Sequence, residues 1–69
     1  MKISARNQLK GTIVEVKLGV ITAEVVVQLD GGQQITSVIT VDAVKGLALQ
    51  VGDQVTAIIK STEVMIGKD

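Results

Sequence analysis

Two short segments of this chain carry residue types that could do chemistry. The first is Ser4-Ala5-Arg6-Asn7-Gln8, a donor-rich polar run that holds the only arginine. The second is Lys60-Ser61-Thr62, a cation followed by two hydroxyls. Guanidinium, ammonium and hydroxyl groups can all donate hydrogen bonds, so a local cluster of them is what could hold an anion, though each segment alone is a weak signal. Each segment also has an ordinary reading. Arg6 could pair with a carboxylate, Lys60 could be a solvated strand end, and Ser4 and Ser61 could cap local backbone.

Catalysis finds little support. Covalent catalysis needs an activated Ser, Cys, Thr or Lys beside a base, and the chain has no histidine and no cysteine. The carboxylates Glu15, Glu24, Asp30, Asp42, Asp53, Glu63 and Asp69 are scattered singly, with no pair at a motif spacing. No glycine-rich phosphate loop or dinucleotide fingerprint is present. The expectation is a binding protein, not an enzyme, without cofactor. Lacking cysteine and histidine, it has neither a disulfide nor a zinc site to staple it.

Composition narrows the partners. Seven Lys and Arg balance seven Asp and Glu, whereas nucleic-acid binding wants a basic face. Phe, Tyr and Trp are absent, so there is no stacking platform for single-stranded nucleic acid. Any bound anion must be held by a local cluster. No run of about 18 apolar residues could span a membrane. Met1-Lys2-Ile3-Ser4 leads into polar sequence with no signal-peptide core. The expected location is the cytoplasm.

The elements that must position the two segments are mostly strands. Residues 10–18 are rich in β-branched side chains and predict a first strand. Gly19 breaks it, and residues 21–29 predict a second. Asp30-Gly31-Gly32 is a hairpin signal, because glycine supplies the positive φ of a tight turn. Residues 33–39 return as a third strand. Thr40 then caps a short helix over about 41–47, with Asp42 in its first turn. Residues 54–59 form a fourth strand, 60–63 a corner, and 64–66 a short fifth strand. Three strands, a helix and two more strands suit a small all-β barrel of the OB type.

The chain is one domain of 69 residues, short enough to bury only a thin core. In the second strand Ala23, Val25, Val27 and Leu29 share a face, but Val26 sits on the other beside Glu24 and Gln28. In the fourth, Ile58 opposes Val55, Ala57 and Ile59. Apolar residues on both faces, in a domain this small, point to assembly with copies of itself.

The run from Ser4 to Ile13 resembles the opening signature of the molybdate-binding Mop domain, the molbindins. The likeness continues through Asp30-Gly31-Gly32, Ser37-Val38-Ile39-Thr40, residues 47–52 and Lys60-Ser61-Thr62-Glu63-Val64, and so covers almost the whole chain. It implies a five-stranded OB-type barrel over residues 1–69. It also implies a homohexamer, built as a trimer of dimers, with molybdate or tungstate bound between subunits for intracellular storage or homeostasis. By position, the oxyanion site would use the Ser4, Ala5 and Arg6 segment together with Lys60 and Ser61. Thr40 matches a hydroxyl position at the helix start. Ala43 falls where some relatives carry serine. A second site is expected at Gly19, Val20 and Ile21, through backbone N–H groups. An OB-type nucleic-acid binder and a pure oligomerisation module are the alternatives.

Overall fold

The computed structural model describes residues 1–69. Its elements in order are β1 (Asn7–Leu18), β2 (Thr22–Leu29), β3 (Gln34–Thr40), α1 (Val41–Gly46) and β4 (Gln54–Ile59), followed by a 3₁₀ turn at Ser61–Glu63. The strands form one antiparallel sheet in the order β3-β2-β1-β4. No helix is long and apolar enough to cross a membrane.

β1 holds the sheet together because it serves two partners. Its first half pairs with β4, from Asn7 opposite Ile59 to Thr12 opposite Gln54. Its second half pairs with β2, from Gly11 opposite Leu29 to Leu18 opposite Ala23. The partners overlap at Gly11 and Thr12, and at Gly11 the backbones crowd. A Cβ on Gly11 would stand 2.6 Å from the carbonyl oxygen of Gln28, so the position requires glycine. The register with β2 slips between Ile13 and Glu15, leaving Val14 as the extra residue of a β-bulge. The bulge resets the alternation, so that Ile13 is buried and Val16 packs on the same core.

The β2–β3 connection is a three-residue hairpin loop. Gly32 N–H donates to Leu29 O, and Leu29 N–H donates to Gln33 O. Gly32 has φ +88°, the left-handed position that ends such a loop. The face of β2 expected to be apolar is the buried one: Ala23, Val25 and Val27 form the core with Ile13 and Val44, and Leu29 packs beside them. Only five of the 69 residues are buried. Helix α1 follows β3 without a break, capped by Thr40 as expected, and buries Val44 alone.

The all-β, OB-like architecture with one short helix between the third and fourth strands is present. The fifth strand expected at 64–66 is not. After the 3₁₀ turn these residues pair with nothing. Three residues offer too few ladder bonds to offset the entropy of ordering them alone. The sheet therefore curls without closing, and an apolar groove of about 310 Å³ runs between β3 and β4.

Candidate functional site

The β1–β4 register decides where the two donor segments meet. Its last pair is Asn7 opposite Ile59. Arg6 immediately precedes and Lys60 immediately follows that pair, so the two donor segments leave the ladder at the same end. Lys60 is still extended at φ −63°, ψ 133°. Arg6 and Lys60 are both exposed. Residues 54 positions apart in the chain are thus neighbours in the fold.

Neither cation is neutralised. The one ion pair in the chain is Lys17 Nζ with Glu15 Oε1 at 3.4 Å, so the salt bridge weighed for Arg6 does not form. Nor do the hydroxyls of Ser4 and Ser61 cap local backbone. The three side-chain hydrogen bonds present are made by Gln8, Thr40 and Asp53. Like charges held near one another repel. A dianion between them would reverse the sign of that interaction.

One positioning residue escaped the sequence reading. Gln8 Nε2 donates to Ala5 O at 2.6 Å, tying the Ser4–Arg6 segment to the start of β1. The available signal was its spacing of three residues from Ala5, a reach typical of side-chain-to-backbone bonds.

The other expected site residues lie elsewhere. Thr40 pairs with Thr22, at the far end of β1 from Arg6. Its Oγ1 accepts the N–H of Ala43 at 3.0 Å, which makes it a helix cap and leaves its O–H free to donate. The Val41 N–H, at the start of the helix, goes to Ile21 O at 2.8 Å. The Gly19 N–H is likewise spent, on Thr22 O at 2.9 Å, so Gly19 does not serve as a donor in the second site. Val20 and Ile21 make no backbone hydrogen bond through their N–H groups and are highly exposed, Val20 at 97%. Within a single chain, then, the segments holding Arg6 and Lys60 lie at one end of the β1–β4 ladder. Thr40 and the Gly19–Ile21 turn form a separate group.

No cluster of three or more carboxylate, histidine or cysteine groups could hold a metal cation. What the Arg6–Lys60 end offers is donors and positive charge.

Comparison with known proteins shows the family. The TOBE domain family model matches residues 3–66. The chain is 59% identical over 66 residues to molybdenum-pterin-binding protein 1 of Clostridium pasteurianum, covering 96% of this chain and 97% of that protein. Its structure is similar to MopII from Clostridium pasteurianum, with a TM-score of 0.93 and 54% identity over 97% of this chain and 100% of that one. It is also similar to a molybdate-binding protein from Sporomusa ovata, with a TM-score of 0.92 and 41% identity over 99% of this chain and 100% of the other. The chain belongs to the TOBE domain family and, within it, to the small Mop proteins.

Proposed function

We propose that the chain is a binding protein for molybdate or tungstate, holding the oxyanion between copies of itself, and that it stores or buffers the ion in the cytoplasm. The observation that supports this reading is that Arg6 and Lys60 flank the last β1–β4 pair, Asn7 with Ile59, with no carboxylate paired to either. The relatives named above, described as binding molybdenum-pterin or molybdate, support it.

The chemistry fits the guest. Molybdate and tungstate are tetrahedral dianions, fully deprotonated at neutral pH, and every oxygen only accepts. Arg6 and Lys60 match the charge, while Ser61, Ser4 and the Ala5 backbone add neutral donors. Phosphate carries a proton near neutral pH and needs an acceptor in return. A donor-only pocket leaves that proton unpaired, at about 1–3 kcal/mol. Sulfate has no proton, so it must be discriminated by size.

Assembly follows from what one chain leaves exposed. Leu18, Val20, Ile21 and Val38 all lie on the surface, while the core holds five residues. A second copy would cover such faces. It could also bring Thr40 of one chain to the cations of another, which the single chain keeps apart. A homohexamer built as a trimer of dimers is the assembly we favour. Val20 and Ile21 are the remaining backbone donors for a second anion.

Native mass spectrometry of the full chain with added molybdate tests the reading. The expected result is an oligomer carrying a defined number of anions. A monomer without bound anion would overturn it. An oligomer that never takes up anion would instead mark a pure assembly module.

A further inference from the structure

An aspartate followed by glycine can rearrange its own main chain. The glycine nitrogen reaches the aspartate carboxyl carbon, and no Cβ hinders the approach. Hydrogen bonds that hold the carboxyl group or the nitrogen prevent the reaction. The chain contains this dipeptide once, at Asp30-Gly31 in the loop between β2 and β3. Here neither group is held. Asp30 and Gly31 are both exposed. The Gly31 N–H donates to no main-chain acceptor, unlike that of Gly32, which goes to Leu29 O. The Asp30 carboxylate accepts no hydrogen bond. Lys10 lines the same hollow, yet the two form no ion pair. Asp42 and Asp53 differ. After Asp42, the N–H of Ala43 is taken by Thr40 Oγ1 at 3.0 Å. At Asp53 the carboxylate is held, its Oδ2 accepting the Gln50 N–H at 3.0 Å. Both are also followed by residues that carry a Cβ.

We propose that Asp30 is a site of self-modification in the folded chain, where the Gly31 nitrogen closes a succinimide that reopens to isoaspartate. The nitrogen attacks Cγ of the protonated Asp30 carboxyl. A C–N bond forms, the nitrogen gives up its proton, and one carboxyl oxygen departs as water. Water then adds to either ring carbonyl. Opening at the side-chain carbonyl restores aspartate. Opening at the main-chain carbonyl routes the backbone through the former side chain and frees the former main-chain carbonyl as a carboxylate. Atoms balance with no other reactant, because the water lost on closure is regained on opening. The product lengthens the loop backbone by one carbon. That loop is closed by Gly32 N–H to Leu29 O and Leu29 N–H to Gln33 O, so the longer chain strains both bonds. β2, which enters the loop, supplies Ala23, Val25 and Val27 to the core, and the lesion therefore weakens the sheet as well as the turn. The proposal is independent of anion binding and stands or falls without it.

The test ages the full folded chain in warm neutral buffer made with heavy-oxygen water, then maps its peptides by mass spectrometry. The expected result is isoaspartate accumulating at residue 30, resistant to an aspartate-directed protease, open to an isoaspartate-specific methyltransferase, and carrying one heavy oxygen. Peptides spanning Asp42 and Asp53 should stay unmodified. Absence of isoaspartate at residue 30 overturns the proposal, and so does its formation at the same rate at Asp42 and Asp53. Two variants locate the chemistry. Gly31 does not have a positive φ, and a Cβ added there meets nothing within 4 Å, so Gly31→Ala keeps the fold. It should slow the reaction severalfold by hindering the nitrogen. Asp30→Glu should lose the signal, because the larger ring closes far more slowly. An undiminished signal in either variant contradicts the assigned nitrogen or carboxyl. The aged chain should also melt below the fresh one, with a smaller fall in Gly31→Ala. An unchanged melting temperature in fully modified chain overturns the claimed effect on the hairpin.

Discussion

At the Thr40 end of β1 the polar groups are largely consumed within the chain. Thr40 Oγ1 takes the Ala43 N–H, the Val41 N–H goes to Ile21 O, and the Gly19 N–H goes to Thr22 O. At the Arg6 end the charged and hydroxyl groups stay free. Arg6, Lys60, Ser4 and Ser61 make no side-chain hydrogen bond, and neither cation has a counter-ion. Both ends are exposed and both carry small polar residues, so composition does not separate them. The difference is that one end spends its donors on its own folding and the other holds them for something else. Donor-rich sequence becomes a binding site only where local structure does not use the donors first.

That contrast can be broken by experiment. Its largest consequence concerns the free cations. Arg6→Ala and Lys60→Ala should each weaken molybdate binding about ten- to a hundredfold, the worth of a hydrogen bond to a charged group, with the melting temperature unchanged. Calorimetric titration and thermal unfolding of the same preparations check both halves. Unchanged affinity in either variant removes that residue from the site.

Next in size is anion choice. Phosphate at neutral pH should bind about five- to a hundredfold more weakly than molybdate, from the unpaired proton alone. Competition titration measures the ratio, and equal affinity would mean that an unrecognised acceptor lines the pocket.

At the other end of β1 the expected loss is of stability. Thr40→Ala should cost about 1 kcal/mol through the lost N-cap, whereas Thr40→Ser keeps the cap. Denaturant unfolding with molybdate absent reads the difference. If Thr40→Ala leaves stability intact, the hydroxyl is not a working cap and the division between the ends fails.

The smallest effect is expected in the turn. Val20→Ser should change the stability of the isolated chain by no more than about 0.5 kcal/mol, because the side chain packs on nothing within it. A larger loss in dilute solution would show that the turn is structural.

What the sequence made legible follows from which signals are local. The apolar face of β2, the Asp30-Gly31-Gly32 loop and the Thr40 cap each depend on neighbours within a few residues, and all three are where the pattern put them. The start of β1 was less visible. Asn7, Gln8 and Leu9 carry no apolar alternation, and they are extended because β4 pairs with them. The bulge at Val14 has no local signature either, since it is set by fitting β1 to two partners at once. Gly11 did carry a hint: a lone glycine within a strand pattern signals a close backbone approach. The fifth strand failed because its apolar alternation cannot say which edge, or whose, it should join. Of the site, the residue types were readable, but the meeting of Arg6 with Lys60 was not a property of either segment. It comes from the register of β1 against β4, a long-range fact. The resemblance implied that the two segments act together, and the register brings both to one end of the β1–β4 ladder.

The most direct test is to locate the anion. In crystals of the full chain grown with tungstate, anomalous scattering marks the heavy atom without ambiguity. The account predicts a peak within hydrogen-bonding reach of the Arg6 guanidinium and the Lys60 ammonium. Tungstate bound only away from both side chains would contradict it.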